Sequence, residues 1–93
     1  MPEFRVFETD EFLKCFKKLS SRDASFLRRK LDSFVYPQLK AAPFWGNNIK
    51  KLQGYTPETW RYRIGKYRLF YIVDQEEQTL YILTVDDRKD AYR

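Results

Sequence analysis

Arg61 and Arg63 stand two residues apart, and Arg68 follows them across Gly65-Lys66. A two-residue turn that opens with Gly fits a type II′ hairpin. Such a turn pairs Ile64 with Tyr67, Arg63 with Arg68, Tyr62 with Leu69 and Arg61 with Phe70. Side chains alternate across a strand. Trp60, Tyr62, Ile64, Tyr67, Leu69 and Tyr71 then share one face, which reads as a core face. Arg61, Arg63, Arg68, Phe70 and Ile72 share the other. Like charges directly opposite each other destabilise a sheet. Two arrangements would relieve the repulsion between Arg63 and Arg68. An anion could bridge the guanidinium forks, which suit phosphate bidentately. Alternatively, the arginines could pair with Asp86, Asp87 or Asp90 in an exposed network.

The rest of the chemical inventory is short. The chain has no histidine and a single cysteine. That set is too poor for a zinc site, and it excludes Ser-His-Asp and Cys-His hydrolases. No metal or other cofactor is expected. Chemistry must come from carboxylates, Lys, Arg, Tyr or water. Cys15 lies on an apolar helical stripe and reads as a small core residue rather than a reactive thiol. Tyr92 stands in a polar tail beside Arg88, Lys89 and Arg93. It either stacks on a nucleobase or folds back onto the core.

These groups need elements to hold them. Glu3–Glu8 alternates as a short strand, with Phe4 and Val6 on one side. Thr9 or Asp10 can cap a first helix whose stripe is Phe12, Cys15, Phe16 and Leu19. Ser20 with Asp23 resembles a capping box that opens a second helix. Its core face is read as Leu27, Leu31, Phe34 and Val35, and Pro37 should end it. Residues 37–48 read as loop, and Lys50-Lys51-Leu52-Gln53-Gly54 as the approach to a turn. Strands are expected at Thr59–Ile64, Tyr67–Val73 and Thr79–Val85. The order β-α-α-β-β-β predicts an α+β fold, two N-terminal helices packed on a mainly antiparallel four-stranded sheet.

With 93 residues, the chain has room for one domain, taken as 1–93. Aromatics at 18% exclude a disordered polar chain. The longest apolar run, Leu69–Val73, is far short of a membrane span, and no secretory leader is evident. A cytoplasmic protein without a membrane partner is expected. The net charge of +5 is unevenly spread. Residues 49–70 carry Lys50, Lys51, Arg61, Arg63, Lys66 and Arg68 against Glu58 alone. Residues 12–30 carry seven basic residues against Asp23. The second block reads as a solvated helix face. The first reads as a footprint for nucleic acid.

Trp60-Arg61-Tyr62-Arg63-Ile64-Gly65-Lys66-Tyr67-Arg68-Leu69-Phe70-Tyr71 resembles the signature hairpin of the RelE/ParE superfamily of toxin–antitoxin systems. Lys50-Lys51-Leu52-Gln53-Gly54 resembles the K-x-L-x-G step before it, and Arg88 to Arg93 resembles the R-x-x-x-Y-R ending of RelE-like members. The resemblance implies a metal-independent endoribonuclease that cuts mRNA in the ribosomal A site and so inhibits translation. It places Arg61, Arg63, Arg68, Arg88 and Tyr92 at the catalytic positions. Lys50, Lys51, Lys66 and Arg93 would contact RNA. The implied partners are a cognate antitoxin, mRNA and the ribosome with its 16S rRNA. Operator DNA would be reached only through the antitoxin. The same superfamily contains ParE-like toxins that inhibit DNA gyrase, and a silent member would bind only its antitoxin and DNA. A basic RNA-binding module is the plainest reading. Two positions depart from the pattern. Arg63 replaces a common lysine, and guanidinium is a poor base. Asp86-Asp87 stands where members often carry Gly and then a basic residue or His.

Overall fold

The computed structural model describes residues 3–87. Strand β1 (Arg5–Glu8) leads into helix α1 (Asp10–Lys17). The Thr9 side chain caps α1 by accepting from the Phe12 N–H at 3.2 Å. Its hydroxyl also donates to the Ile82 carbonyl at 2.7 Å, which ties the helix start to the sheet. Ser20 caps α2 (Ser21–Lys30) by accepting from the Asp23 N–H.

The helix does not stop at Pro37. It widens into a π turn, Leu31–Val35, where the Tyr36 N–H reaches back to the Leu31 carbonyl, and then runs on as α3 (Tyr36–Ala41). A proline lacks an N–H and crowds the carbonyl four residues back. One wide turn just before Pro37 absorbs that mismatch and lets the helix continue. The extra residue also resets the helix phase. Leu27, Leu31 and Val35 are buried as expected, but Phe34 turns outward and is 56% exposed. The loop is correspondingly shorter and begins after Ala41.

Among the described residues the sheet has five strands, not four, in the order β1-β5-β4-β3-β2. The additional strand is β2 (Ile49–Lys51), antiparallel to β3 (Trp60–Ile64). Three residues, two of them lysine, carry no readable alternation, and lysine-rich short strands are a common way to finish a sheet edge. Strands β3, β4 (Tyr67–Asp74) and β5 (Thr79–Asp87) form a meander, and β1 lies parallel to β5 at the other edge.

The helices cover one face. Phe12, Leu27, Leu31, Val35, Tyr36 and Leu39 pack on Tyr62, Ile64, Tyr67, Leu69, Tyr71, Leu80, Ile82 and Val85. The three core tyrosines of the sheet reach polar acceptors with their hydroxyls. Tyr67 donates to Asp23, Tyr62 to Gln38 Oε1 at 2.6 Å and Tyr71 to the Pro43 carbonyl at 2.6 Å. A buried aromatic with a satisfied hydroxyl fixes its layer as well as filling it. Glu8, at the end of β1, accepts from Arg28 at 2.9 Å and from the Tyr36 hydroxyl at 2.6 Å. Burial and the facing Glu8 carboxylate push the Tyr36 hydroxyl well above its ordinary range. Arg28 is therefore part of the packing between helix and sheet. Its neighbours Lys14, Lys17, Lys18, Arg22, Arg29 and Lys30 are exposed, as a solvated helix face requires.

Candidate nucleic-acid interface

The β3–β4 hairpin has the register expected from its turn: Arg63 faces Arg68, and Arg61 faces Phe70. Gly65 has φ 57°, the left-handed conformation that the first turn position needs. Strand β2 adds Lys50 directly opposite Arg61, and β5 adds Thr84 opposite Phe70 and Asp86 opposite Arg68. Facing residues share a sheet face. Two adjacent rows therefore lie on the sheet face opposite the core: Lys50, Arg61, Phe70, and then Arg63, Arg68, Asp86, with Thr84 at the margin of the first row, where its hydroxyl meets Cys15 of α1. The Nε atoms of Arg61 and Arg68 are buried, so both stems are packed against the sheet, while Arg63 and Lys50 are exposed.

The charge opposition at Arg63–Arg68 is thus flanked by a carboxylate in the next strand. This placement depends on a β-bulge. Phe70 faces Thr84 while its neighbour Tyr71 faces Ile82, which leaves Leu83 as an extra residue in β5. Without the extra residue, the alternation set by Leu80 and Ile82 would carry Thr84 and Asp86 into the core and Val85 out of it. With it, Val85 is buried and Asp86 is exposed beside Arg68.

Two of the expected RNA-contacting lysines lie elsewhere. Lys51 falls in the row of Trp60, on the opposite face from Arg61, and pairs with Glu58 at 2.9 Å. Lys66, at the turn, lies 3.8 Å from Asp23 and 5.3 Å from the centre of the Tyr67 ring, on the helix side. Arg88, Tyr92 and Arg93 lie outside the described residues, as do Lys89 and Asp90. Cys15 is half-buried, with its sulfur 3.3 Å from the Thr84 hydroxyl. It packs against the core, as its apolar stripe implied. Among the described residues no group of His, Cys, Asp and Glu is placed to hold a metal ion. No helix among them is long and apolar enough to cross a membrane.

One part of the face was not anticipated. A cleft of about 250 Å³ lies beside the arginines, lined by Tyr55, Thr59, Phe70, Leu83, Thr84 and Asp86. Tyr55 comes from the loop between β2 and β3 and is 57% exposed. A tyrosine in a turn-rich segment, between Gln53-Gly54 and Thr56-Pro57, was the available signal.

The family model for the ParE toxin of type II toxin–antitoxin systems matches residues 9–92. The chain belongs to this family. It is a type II toxin of the RelE/ParE superfamily, and solved structures agree. A chain of the toxin–antitoxin complex RelBE2 from Mycobacterium tuberculosis is 30% identical, with TM-score 0.74 over 95% of this chain and 94% of that one. The archaeal RelE–RelB complex from Pyrococcus horikoshii matches at 25% identity and TM-score 0.69, over 92% and 96% of the two chains. A YoeB/ParE toxin from Agrobacterium tumefaciens shares the fold at 20% identity and TM-score 0.70, over 90% and 98%. A sequence search of curated proteins gave no match.

Proposed function

We infer that this toxin is a metal-independent, ribosome-dependent mRNA endoribonuclease. The observation that supports it is the convergence of Lys50, Arg61, Arg63 and Arg68 on two adjacent rows of one open sheet face. RNA brings its own nucleophile. The 2′-hydroxyl oxygen forms a bond to the adjacent phosphorus, and the bond from phosphorus to the 5′ oxygen breaks. The hydroxyl proton passes to water and the departing oxygen takes one up. The products are a 2′,3′-cyclic phosphate and a 5′-hydroxyl. What the protein supplies is geometry and charge. Holding the reacting groups in line can contribute roughly 7–11 kcal/mol. Each donor aimed at the developing charge adds about 3–4 kcal/mol. Arg61, Arg63 and Arg68 clamp the phosphate, and Lys50 holds a neighbouring one. Arg88 supports the departing oxygen and Tyr92 stacks on a base. With no histidine for proton transfer, the isolated chain is slow, and the ribosome completes the site by ordering the message.

The same reading assigns a cytoplasmic location and a cognate antitoxin. Phe26 and Phe34 are exposed beside a cleft that also includes Lys30, Arg63 and Ile64, where β3 runs past the end of β2. Apolar rings with a basic rim suit an acidic amphipathic segment. The second reading, a gyrase inhibitor, is favoured by one observation: the matching family model is that of ParE.

Mapping RNA ends after induction, alongside plasmid supercoiling, separates the two. The expected result is cut messages with 5′-hydroxyl ends and unchanged supercoiling. Intact messages with lost supercoiling would overturn the nuclease reading in favour of the gyrase one. Growth unaffected by induction would mean a silent member.

A further inference from the structure

We propose that Asp23, acting through the Tyr67 hydroxyl from beneath the sheet, is a positioning residue that holds Arg63 and Arg68 in place for cleavage, an inference that rests on the RNA reading above. The two arginines sit near the end of the hairpin. Only the Ile64–Tyr67 pair separates them from the Gly65-Lys66 turn. Among the described residues, β2 supports β3 no further than the bond from the Arg63 N–H to the Asn48 carbonyl at 2.9 Å. The ends of elements are where a fold opens most readily. The facing arginines add a like-charge opposition at this end.

What holds the end down comes from α2. Asp23 lies in the first turn of that helix, and the Ser20 cap fixes its backbone by accepting from its N–H at 3.1 Å. Its carboxylate accepts from the Tyr67 hydroxyl at 2.5 Å and lies 3.8 Å from the Lys66 ammonium. Lys66 in turn sits 5.3 Å from the centre of the Tyr67 ring. One carboxylate therefore engages both a turn residue and the first residue of β4. The hydrogen bond from Tyr67 keeps the Asp23 carboxyl below its ordinary 3.8, so it is ionised at neutral pH. Hydrogen bonds to an ionised acceptor are the strong ones. The Tyr67 ring is buried, so its hydroxyl sets where the start of β4 rests on α2. Arg68 is the next residue and projects to the opposite face. Both side chains ride on one stretch of backbone, so a tilt at Tyr67 carries the Arg68 guanidinium with it. A misplacement of about 1 Å at a reacting centre can cost about 100-fold in rate.

The test pairs amide hydrogen exchange on the full chain with message cleavage on programmed ribosomes, at a temperature where circular dichroism shows every variant folded. In Asp23→Ala and Tyr67→Phe, exchange at the Tyr67 amide beside the turn should rise roughly 10- to 150-fold, and more than at Ile82 in the middle of the sheet. On ribosomes both variants should lose about 10- to 100-fold in kcat with KM within about twofold, because the arginines remain to bind and only their alignment is lost. Asp23→Glu keeps a carboxylate at a helix position where glutamate also suits the Ser20 cap, and should restore most of the rate. Val73→Ala thins the core at the far end of β4 and should cost stability while leaving kcat unchanged. Unchanged exchange at Tyr67 would remove the tie. Faster exchange with wild-type kcat would make it a contributor to stability alone, and so would an equal loss of kcat in Val73→Ala. No rescue by Asp23→Glu would deny the carboxylate its role. A wild-type chain that cuts no message would sink the nuclease reading instead, and the tie then stands or falls on the exchange data.

Discussion

The two faces of the β3–β4 hairpin alternate along the same two strands and obey opposite rules. On the inner face the tyrosine hydroxyls are matched. Tyr62, Tyr67 and Tyr71 are buried, and each hydroxyl has a defined acceptor on a helix or the loop after it. On the outer face Arg63 and Arg68 confront each other, with Asp86 in the next strand. The inner face is optimised for staying folded. The outer face accepts a local cost that packing does not require. The contrast between the two sides of one sheet supports our proposal that the outer face is held for another molecule. It also explains why a mutation on one face should change stability and on the other activity.

The largest separation should come from Leu69→Ala. It opens a cavity among residues that are fully buried, and a loss of about 2–5 kcal/mol in denaturant unfolding is expected. A loss under about 1 kcal/mol would mean that this face is not the core. One residue away, Arg68→Ala should do the reverse. Message cleavage should fall about 100-fold or more, while stability stays within about 0.5 kcal/mol. A destabilised chain with undiminished cleavage would make Arg68 a structural partner instead. Tyr92→Ala extends the comparison beyond the hairpin, with a loss of roughly 5- to 150-fold in cleavage if the ring stacks on a base. Tyr92→Phe should then retain most activity, and wild-type cleavage by Tyr92→Ala would remove the tail from the site.

Two smaller effects concern pH and belong to the inner face alone. Burial pushes the Tyr62 and Tyr71 hydroxyls up from the ordinary 10.0. A raised value means that the folded chain keeps protons the unfolded chain releases. Their stabilisation is complete below pH 10 and declines as the pH rises above it. Unfolding at pH 9 and pH 11 should show that slope, and Tyr71→Phe should reduce it. The hydrogen bond from Tyr67 holds the Asp23 carboxyl below its ordinary 3.8. That contribution is present above pH 3.8 and is lost as the pH falls through the lower folded value. Tyr67→Phe should flatten the acid limb of the stability profile. An unchanged acid limb in that variant would show that Lys66 and Arg22, not the tyrosine, hold the carboxylate.

Much of this was legible because it is local. Glycine at the first turn position sets the hairpin register, period-two alternation sets its faces, and Thr9 and Ser20 mark two helix starts. What was missed involves partners distant in sequence. Pro37 looked like a helix end, because the π turn that accommodates it has no residue signature of its own. Phe34 looked like core for the same reason, since one added residue rotates the stripe. Strand β2 is too short to show a period and exists because β3 offers it an edge.

The candidate site divides along the same line. Local sequence by itself determined that Arg61, Arg63 and Arg68 share a face, because strand geometry and one turn dictate it. Only the tertiary structure decided which other residues join them. Lys50 and Lys51 are chemically equivalent neighbours, yet pairing with β3 sends Lys50 to the arginines and Lys51 to Glu58 on the other side. Asp86 reaches the basic face because Leu83 is squeezed out of register, and what drives that slip is the burial of Val85 against the helices. A side chain's face is a local property only while the alternation is unbroken. Where a bulge breaks it, the phase is chosen by the core on the far side of the sheet.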